Sequence, residues 1–383
     1  MKRRLFAITV LVVVLLFCSW RTVGAASTSE EGMSVSKTFA HGQAFIHPGL
    51  LHNRADLAFI KQKVAGGEEP WKAAWDKMRS AWIASLDWTA SPIADVVRGP
   101  YNDPDIGSSN LSHDSAAAYC HALQWVVTGD KAHAKKAMEI IKAWSSTLKS
   151  IQGHDQKLLA GFTGHKFCNA AEILRYTESG WPAEDTEQFK TMLMTVYYPL
   201  IKDFFPKANG NWDAAMINTM LCIGVFCDNQ EIFNRAVNHF LHGESNGAIT
   251  HYVFPTGQCQ ESTRDQAHTQ LGLGMLAAAC EVAWKQGVDL YGAADNRLAV
   301  GYEYTAKYNL GYDVPCEGNI SAQARGRFQP IYEVVYQHYV YEKDLKMPYT
   351  KMVIDKIRPE GGGGEHLSWG TLTFYKRPRL SKN

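Results

Sequence analysis

The sequence predicts an all-α fold: an incomplete (α/α)6–7 toroid of helical hairpins with a short extended C-terminal tail. Three observations carry this expectation. Apolar residues recur at helical spacing along most of the chain. The connections between those stretches are short and hold Gly, Pro or Asn, and almost no segment alternates as a strand would. No self-similarity at a period of about 34 residues is visible, which counts against tetratricopeptide repeats.

Residues 1–26 read as a signal peptide outside the fold. Lys2-Arg3-Arg4 precedes an apolar run through Leu16, and Val23-Gly24-Ala25 offers small residues for signal peptidase. The run is short for a bilayer span, and the bulky Phe17 before Cys18 disfavours lipid-modifying cleavage. Export to the periplasm or medium is expected, with no membrane attachment after cleavage. Residues 40–383 hold no low-complexity linker and are expected to form a single toroid domain.

Within that domain, Ala134, Met138, Ile141, Trp144 and Leu148 form an amphipathic stripe. Asp114 to Val127 reads as the helix before it, and Thr128-Gly129-Asp130 as the turn of a helical hairpin. Further helices are predicted near 55–65, 71–86, 167–178, 184–205, 211–226, 229–242, 262–285, 295–309 and 330–343. Loops rich in Gly, Asn, His and Pro, from Arg98 to His113 and Gly153 to His165, favour a closed toroid with a decorated rim over an open solenoid. Strand signal is confined to Leu367–Tyr375, and Gly361–Gly364 reads as a flexible loop.

Composition narrows the partners. A formal net charge of +1 over 383 residues argues against nucleic acid, which requires a basic bias. Cysteines 120, 168, 222, 227, 259, 280 and 316 are scattered without metal-binding spacing. Most sit in apolar stretches as small core residues, with room for one disulfide. Eleven Trp and seventeen Tyr suit a large aromatic core or stacking on sugar rings.

The segment Gln258–Gly272, QCQESTRDQAHTQLG, is the most informative. Glu261, Arg264, Asp265 and His268 stand at offsets 0, 3, 4 and 7, one stripe of a helix. Leu271, Met275 and Ala279 continue the stripe as an apolar face, so the charged end is expected to emerge from a buried one and line a cleft. Asn209-Gly210-Asn211-Trp212 precedes another apolar helix. Asn211 is a natural N-cap, and it also suits a sugar acid, its amide donating to a carboxylate while Trp212 offers a stacking face. In Arg325-Gly326-Arg327-Phe328-Gln329-Pro330-Ile331-Tyr332, Pro330 fits a first helical turn. Tyr332 would then feel the positive end of a helix with two arginines nearby, which favours a phenolate.

These blocks, together with WKQGVDLYGAADNRL and EYTAKYNLGYDVP, resemble the alginate-lyase-type superfamily of polysaccharide lyases, closest to polysaccharide lyase family 38, which acts on alginate or glucuronan. The likeness runs from about Asp114 to Tyr339. It implies an α/α-toroid catalytic domain that cleaves a uronic-acid polymer by β-elimination, with Asn, His, Arg and Tyr as the catalytic set. Those roles map onto Asn211, His268, Arg327 and Tyr332, with Arg325 as the alternative arginine and Tyr304 or Tyr308 as alternative tyrosines. The related family 5 lyases have an Asn-His pair where this chain has Asn211-Trp212, so the working histidine must come from another helix. Trp212, Arg264, Gln260, His113, Asn110 and His165 are expected substrate contacts.

The residue types fit the chemistry. Removing the C5 proton of a 4-linked uronate builds negative charge beside a carboxylate, and donors such as Asn211 and an arginine stabilise it. His268 or Tyr332 serves as base, and an acid protonates the departing O4. No cofactor or metal is required. The expected partner is an acidic polysaccharide or oligosaccharide, and the protein is expected to be a monomer. Two other readings remain: a toroid glycoside hydrolase using Glu261 and Asp265, and a non-catalytic glycan-binding protein.

Overall fold

The computed structural model describes residue 39 and residues 42–362, 364–366 and 369–379. The expected signal peptide lies outside them. The chain enters through α1 (Arg54–Ala65), started by a reciprocal cap between Asn53 and Asp56, and α2 (Trp71–Arg79). Then follow α3 (Ser108–Thr128), α4 (Lys131–Thr147), α5 (Gln156–Tyr176), α6 (Ala183–Met192), the short α7 (Tyr198–Ile201), α8 (Gly210–Phe226) and α9 (Gln230–His242). The second half carries α10 (Ile249–Tyr252), α11 (Gln266–Lys285), α12 (Ala293–Asn309), α13 (Tyr332–Tyr336), α14 (Pro348–Ile357) and α15 (Gly370–Thr373).

Helices α3, α5, α8 and α11 pack side by side in chain order, while α4, α9 and α12 lie against their outer sides. This is the inner and outer layering of an α/α toroid. All of α8 is buried, so its sequence is apolar all round instead of striped. Small residues let the inner helices approach closely. A Cβ on Gly161 of α5 would stand 2.8 Å from the Ala215 Cβ of α8, and one on Gly164 would stand 2.5 Å from Thr219 Cγ2. The α3–α4 turn forms where expected, with Gly129 at φ 74° and the Asp130 side chain accepting from Ala132 N.

The described residues form one compact unit. Its C-terminal segment is tied in by a buried charge cluster, in which Arg377 pairs with Glu281 of α11 while Lys285 pairs with Asp56 of α1. Among the described residues no helix is long and apolar enough to cross a membrane, and all seven cysteines are free.

Four expectations are corrected. The predicted rim loops are shorter, because α3 begins at Ser108 and α5 at Gln156. Gly161 and Gly164 resemble loop residues in sequence, yet they serve close helix packing. A three-stranded sheet, unforeseen in the sequence, has the order β2-β1-β3. Strand β1 (Asp95–Arg98) pairs antiparallel with β2 (Asp105–Ile106) and parallel with β3 (Ser150–Gln152). Strands of two to four residues are too short for an alternating signal. The tail is not extended at 370–373 but forms the turn α15, held by Thr371 Oγ1, which accepts from Glu360 N at 2.9 Å and donates to Glu333 Oε1 at 2.9 Å. Its β-branched and aromatic composition suggests a strand, and tertiary contacts override that preference. Lastly, the predicted helix 262–285 is broken: residues Gln260–Thr263 make a 3-10 turn and Asp265 adopts an extended backbone before α11.

Candidate active site

A cleft of about 510 Å³ opens at the N-terminal ends of the inner helices. Its wall is built from the segments that lead into them: Arg98 and Tyr101 ahead of α3, His154 and Asp155 ahead of α5, Asn209, Asn211 and Trp212 at the start of α8, and Arg264 and His268 at the start of α11. Helix N-termini carry partial positive charge and unpaired N–H groups. Cations Arg98, Lys207 and Arg264 outnumber the lining carboxylates Asp155 and Glu365. The cleft therefore favours an anionic guest.

The break in the ESTRDQAH block gives the site its geometry. Asp265 caps α11, accepting from His268 N at 2.7 Å, and also accepts from His268 Nδ1 at 2.6 Å. This second bond fixes the ring and leaves Nε2 as the free nitrogen. Burial pushes the Asp265 carboxyl up, but the two bonds from His268 outweigh it and hold the group below the ordinary aspartate value. Glu261 lies deeper. It accepts from Asn211 Nδ2 at 2.6 Å, from Asn211 N at 3.1 Å and from Arg264 Nη1 at 3.1 Å. Burial raises its pKa above the glutamate norm, offset only in part by the Asn211 bond. Asn211 keeps one amide hydrogen beyond the Glu261 bond, and its Oδ1 has no partner among the described residues. Trp212 stands edge-on to His154 at 5.9 Å and to Phe205 at 5.4 Å. His154 is itself oriented, its Nδ1 bonded to Asp155 Oδ1 at 2.6 Å.

Of the residues singled out in the sequence, Asn211, His268, Trp212 and Arg264 meet in this cleft. Tyr332 and Arg327 do not line it. Tyr332 is buried, its hydroxyl donating to Gln270 Oε1 at 2.8 Å. The helix terminus that was to activate it is already occupied by Glu360, whose Oε1 accepts from Tyr332 N at 2.7 Å and Glu333 N at 3.0 Å. Burial, aided by the Glu360 charge, pushes this phenol up rather than down. Arg327 is exposed on the preceding loop. The alternatives do not line it either: Arg325 stacks on Tyr308 at 4.0 Å, and the Tyr304 hydroxyl donates to Pro315 O at 2.7 Å.

Gln260 is structural, holding the entry to α8 by accepting from Gly210 N at 3.0 Å and donating to Asn209 Oδ1 at 3.2 Å. His165 is buried within α5, and burial pushes its imidazole well below the usual histidine range. Asn110 donates to Ser91 O at 3.2 Å outside the cleft. His113 lines an adjoining cavity of about 240 Å³, which shares Arg98, Phe162 and Glu365 with the first. Glu261 and Asp265, the pair a hydrolase would need, serve instead to hold Asn211, Arg264 and His268. Sequence reasoning missed Arg98, Tyr101, His154 and Lys207. Their common signal is position: each precedes a helix start, and the rim segments already named contain the first three.

A family model described as alginate lyase matches residues 87–313. No curated protein matches significantly. Among solved structures, an alginate lyase from Bacteroides ovatus is similar with a TM-score of 0.59 at 14% identity, covering 85% of this chain and 99% of that one. Alginate lyase A1-III from Sphingomonas species A1 gives a TM-score of 0.61 at 14% identity, covering 87% and 97%. A variant of lyase A1-III complexed with a tetrasaccharide gives 0.60 at 14% identity, covering 84% and 94%. These likenesses carry the toroid fold, and the family match spans more than half of the 383 residues. The chain belongs to the alginate lyase family and is a polysaccharide lyase.

Proposed function

We propose that the protein cleaves a 4-linked uronic-acid polymer, alginate or a related uronan such as glucuronan, by β-elimination. The observation that carries this reading is the convergence of Asn211, Arg264 and an aspartate-oriented His268 on one wall of a cation-rich cleft. The remaining amide hydrogen of Asn211 and the Arg264 guanidinium bind the substrate carboxylate and stabilise the charge that develops as C5 loses its proton. Nε2 of His268 takes that proton, and Asp265 stabilises the imidazolium that results. The electron pair left on C5 forms the C4–C5 double bond as the C4–O4 bond breaks. His154, acting as an imidazolium held by Asp155 through Nδ1, gives its Nε2 proton to the departing O4 and is left neutral. Trp212 supplies a flat face for a sugar ring.

Arg264 and His154 thus take the parts first mapped onto Arg327 and Tyr332. The leader-like composition of residues 1–26 supports action in the periplasm or medium. The test is incubation with polymannuronate, polyguluronate and glucuronan while following ultraviolet absorbance. Elimination yields a double bond conjugated to the carboxylate and hence new absorbance. New reducing ends without absorbance would establish hydrolysis and end the proposal.

A further inference from the structure

Arg98 closes β1 and stands where the two cavities meet, since it lines both together with Phe162 and Glu365. Its bonding differs from that of the other cleft arginine. Arg264 donates to Glu261 at 3.1 Å. Arg98 Nε is buried and has no hydrogen-bond partner among the described residues, and the nearest carboxylate oxygen, Asp155 Oδ2, is 3.9 Å away. That Asp155 carboxylate already accepts from His154 through Oδ1. A guanidinium with no hydrogen-bonded carboxylate keeps donors to spare, and a guest carboxylate in the cleft it lines would take them up.

The position of Arg98 is set in advance. Its backbone is paired opposite Asp105, the preceding Val97 pairs with Gln152 of β3, and its carbonyl accepts from Asp155 N at 3.0 Å. Gly153, at φ +95°, makes that approach feasible, because a Cβ there would stand 2.4 Å from Arg98 O. The guanidinium lies over the Phe162 ring at 5.6 Å. Beyond it the second cavity is lined by polar side chains that suit sugar hydroxyls, those of Asn102, Ser109, Ser112 and His113.

We propose that Arg98 anchors the carboxylate of a second uronate unit, the neighbour of the one being cut, and that the adjoining cavity is its subsite. This inference rests on the uronan reading above. A uronan repeats its carboxylate at every sugar, so a second fixed cation along the cleft adds affinity and register. Arg98 is a binding residue in this account, and the proton transfers remain with His268 and His154.

The test uses the full chain with Arg98→Ala and Arg98→Lys. Kinetics are measured on whichever of polymannuronate, polyguluronate and glucuronan gives absorbance. Binding of the three corresponding tetrasaccharides is measured by calorimetry in a His268→Ala background. Arg98→Ala is expected to raise KM and weaken tetrasaccharide binding about ten- to hundredfold, the range for losing a charged hydrogen bond. The change in kcat should stay under about threefold, because the anchor acts equally in ground and transition states. Arg98→Lys should recover part of the loss. Binding and KM within about twofold of the parent, or a loss confined to kcat, would overturn the anchor. If no uronan gives absorbance, the lyase reading falls while binding still decides Arg98: a loss upholds the subsite and unchanged affinity overturns it. Failure of all three tetrasaccharides to bind the parent overturns both.

Discussion

Replacing Asp265 by Asn removes the charge and turns the oxygen that accepts from His268 Nδ1 into an amide NH2, while the oxygen that caps α11 can stay. The carboxylate makes two bonds to His268, at 2.7 Å to the backbone N and 2.6 Å to Nδ1. Asn caps a helix about as well as Asp, so α11 should start where it does now. The lost component is the charge-assisted bond to the ring, felt most when His268 becomes an imidazolium. Hydrogen bonds to charged groups are worth about 1.5–3 kcal/mol, which converts to a fall of about 10- to 150-fold in kcat/KM. The ceiling is set by the whole general-base contribution, about 10²–10⁴. Asp265→Ala should lose similar activity and in addition about 1 kcal/mol of stability, because the cap goes too. The assay is the initial rate of absorbance increase on the preferred uronan, paired with the urea midpoint of each variant. An Asp265→Asn protein within about threefold of wild-type kcat/KM would refute the assignment of His268 to proton transfer.

Tyr332→Phe tests the displaced tyrosine: deleting a buried hydroxyl bonded to Gln270 should cost about 1 kcal/mol of stability and leave turnover intact, and a tenfold loss of kcat with normal folding would return Tyr332 to the mechanism. Lys285→Met strands Asp56 and Glu281 beside Arg377 alone, so the urea midpoint should fall by an amount equivalent to about 3–5 kcal/mol, and a change under about 1 kcal/mol would show that the cluster rebalances without Lys285. His47 bridges Glu172 at 2.6 Å and Asp228 at 3.0 Å; burial lowers its pKa, but the two carboxylates outweigh that and hold it above the ordinary histidine value. A raised folded value stabilises the protein at pH below the unfolded value and fades as pH rises through the folded one. His47→Gln should therefore be further below wild type in denaturation midpoint at about pH 6 than at about pH 9, and an equal or wider gap at the higher pH would contradict the bridge.

Legibility followed the range of the interactions involved. The toroid could be read because burial of inner and outer helices imprints composition over stretches of 12 to 21 residues, as in α1 and α5. Turn chemistry and a dense polar block place Asn211 and His268 near helix starts, although Asn211 lies one residue inside α8 and Asn209 takes the cap position. Glu261, Arg264, Asp265 and His268 do not share one helical stripe, since the helix begins only at Gln266. Their grouping nonetheless survived, because Asp265 as cap and Glu261 in a tight turn keep the four within bonding reach. Around Tyr332 the sequence shows a helix start and two arginines. It does not show Glu360, 28 residues further on, already bound to that start.

By itself the sequence determined which segments become helices, which amide and imidazole stand at helix starts, and that the chain carries no charge bias toward nucleic acid. Tertiary structure alone decided which helix starts share one mouth. It turned Arg98 and His154 inward, buried Tyr332 and gave Arg264 its carboxylate partners. The physical reason is that helix formation and capping depend on neighbours a few residues away. The charge, burial and hydrogen bonding of a cleft side chain depend on groups brought from 50 or more residues distant, as Glu261 is to Asn211.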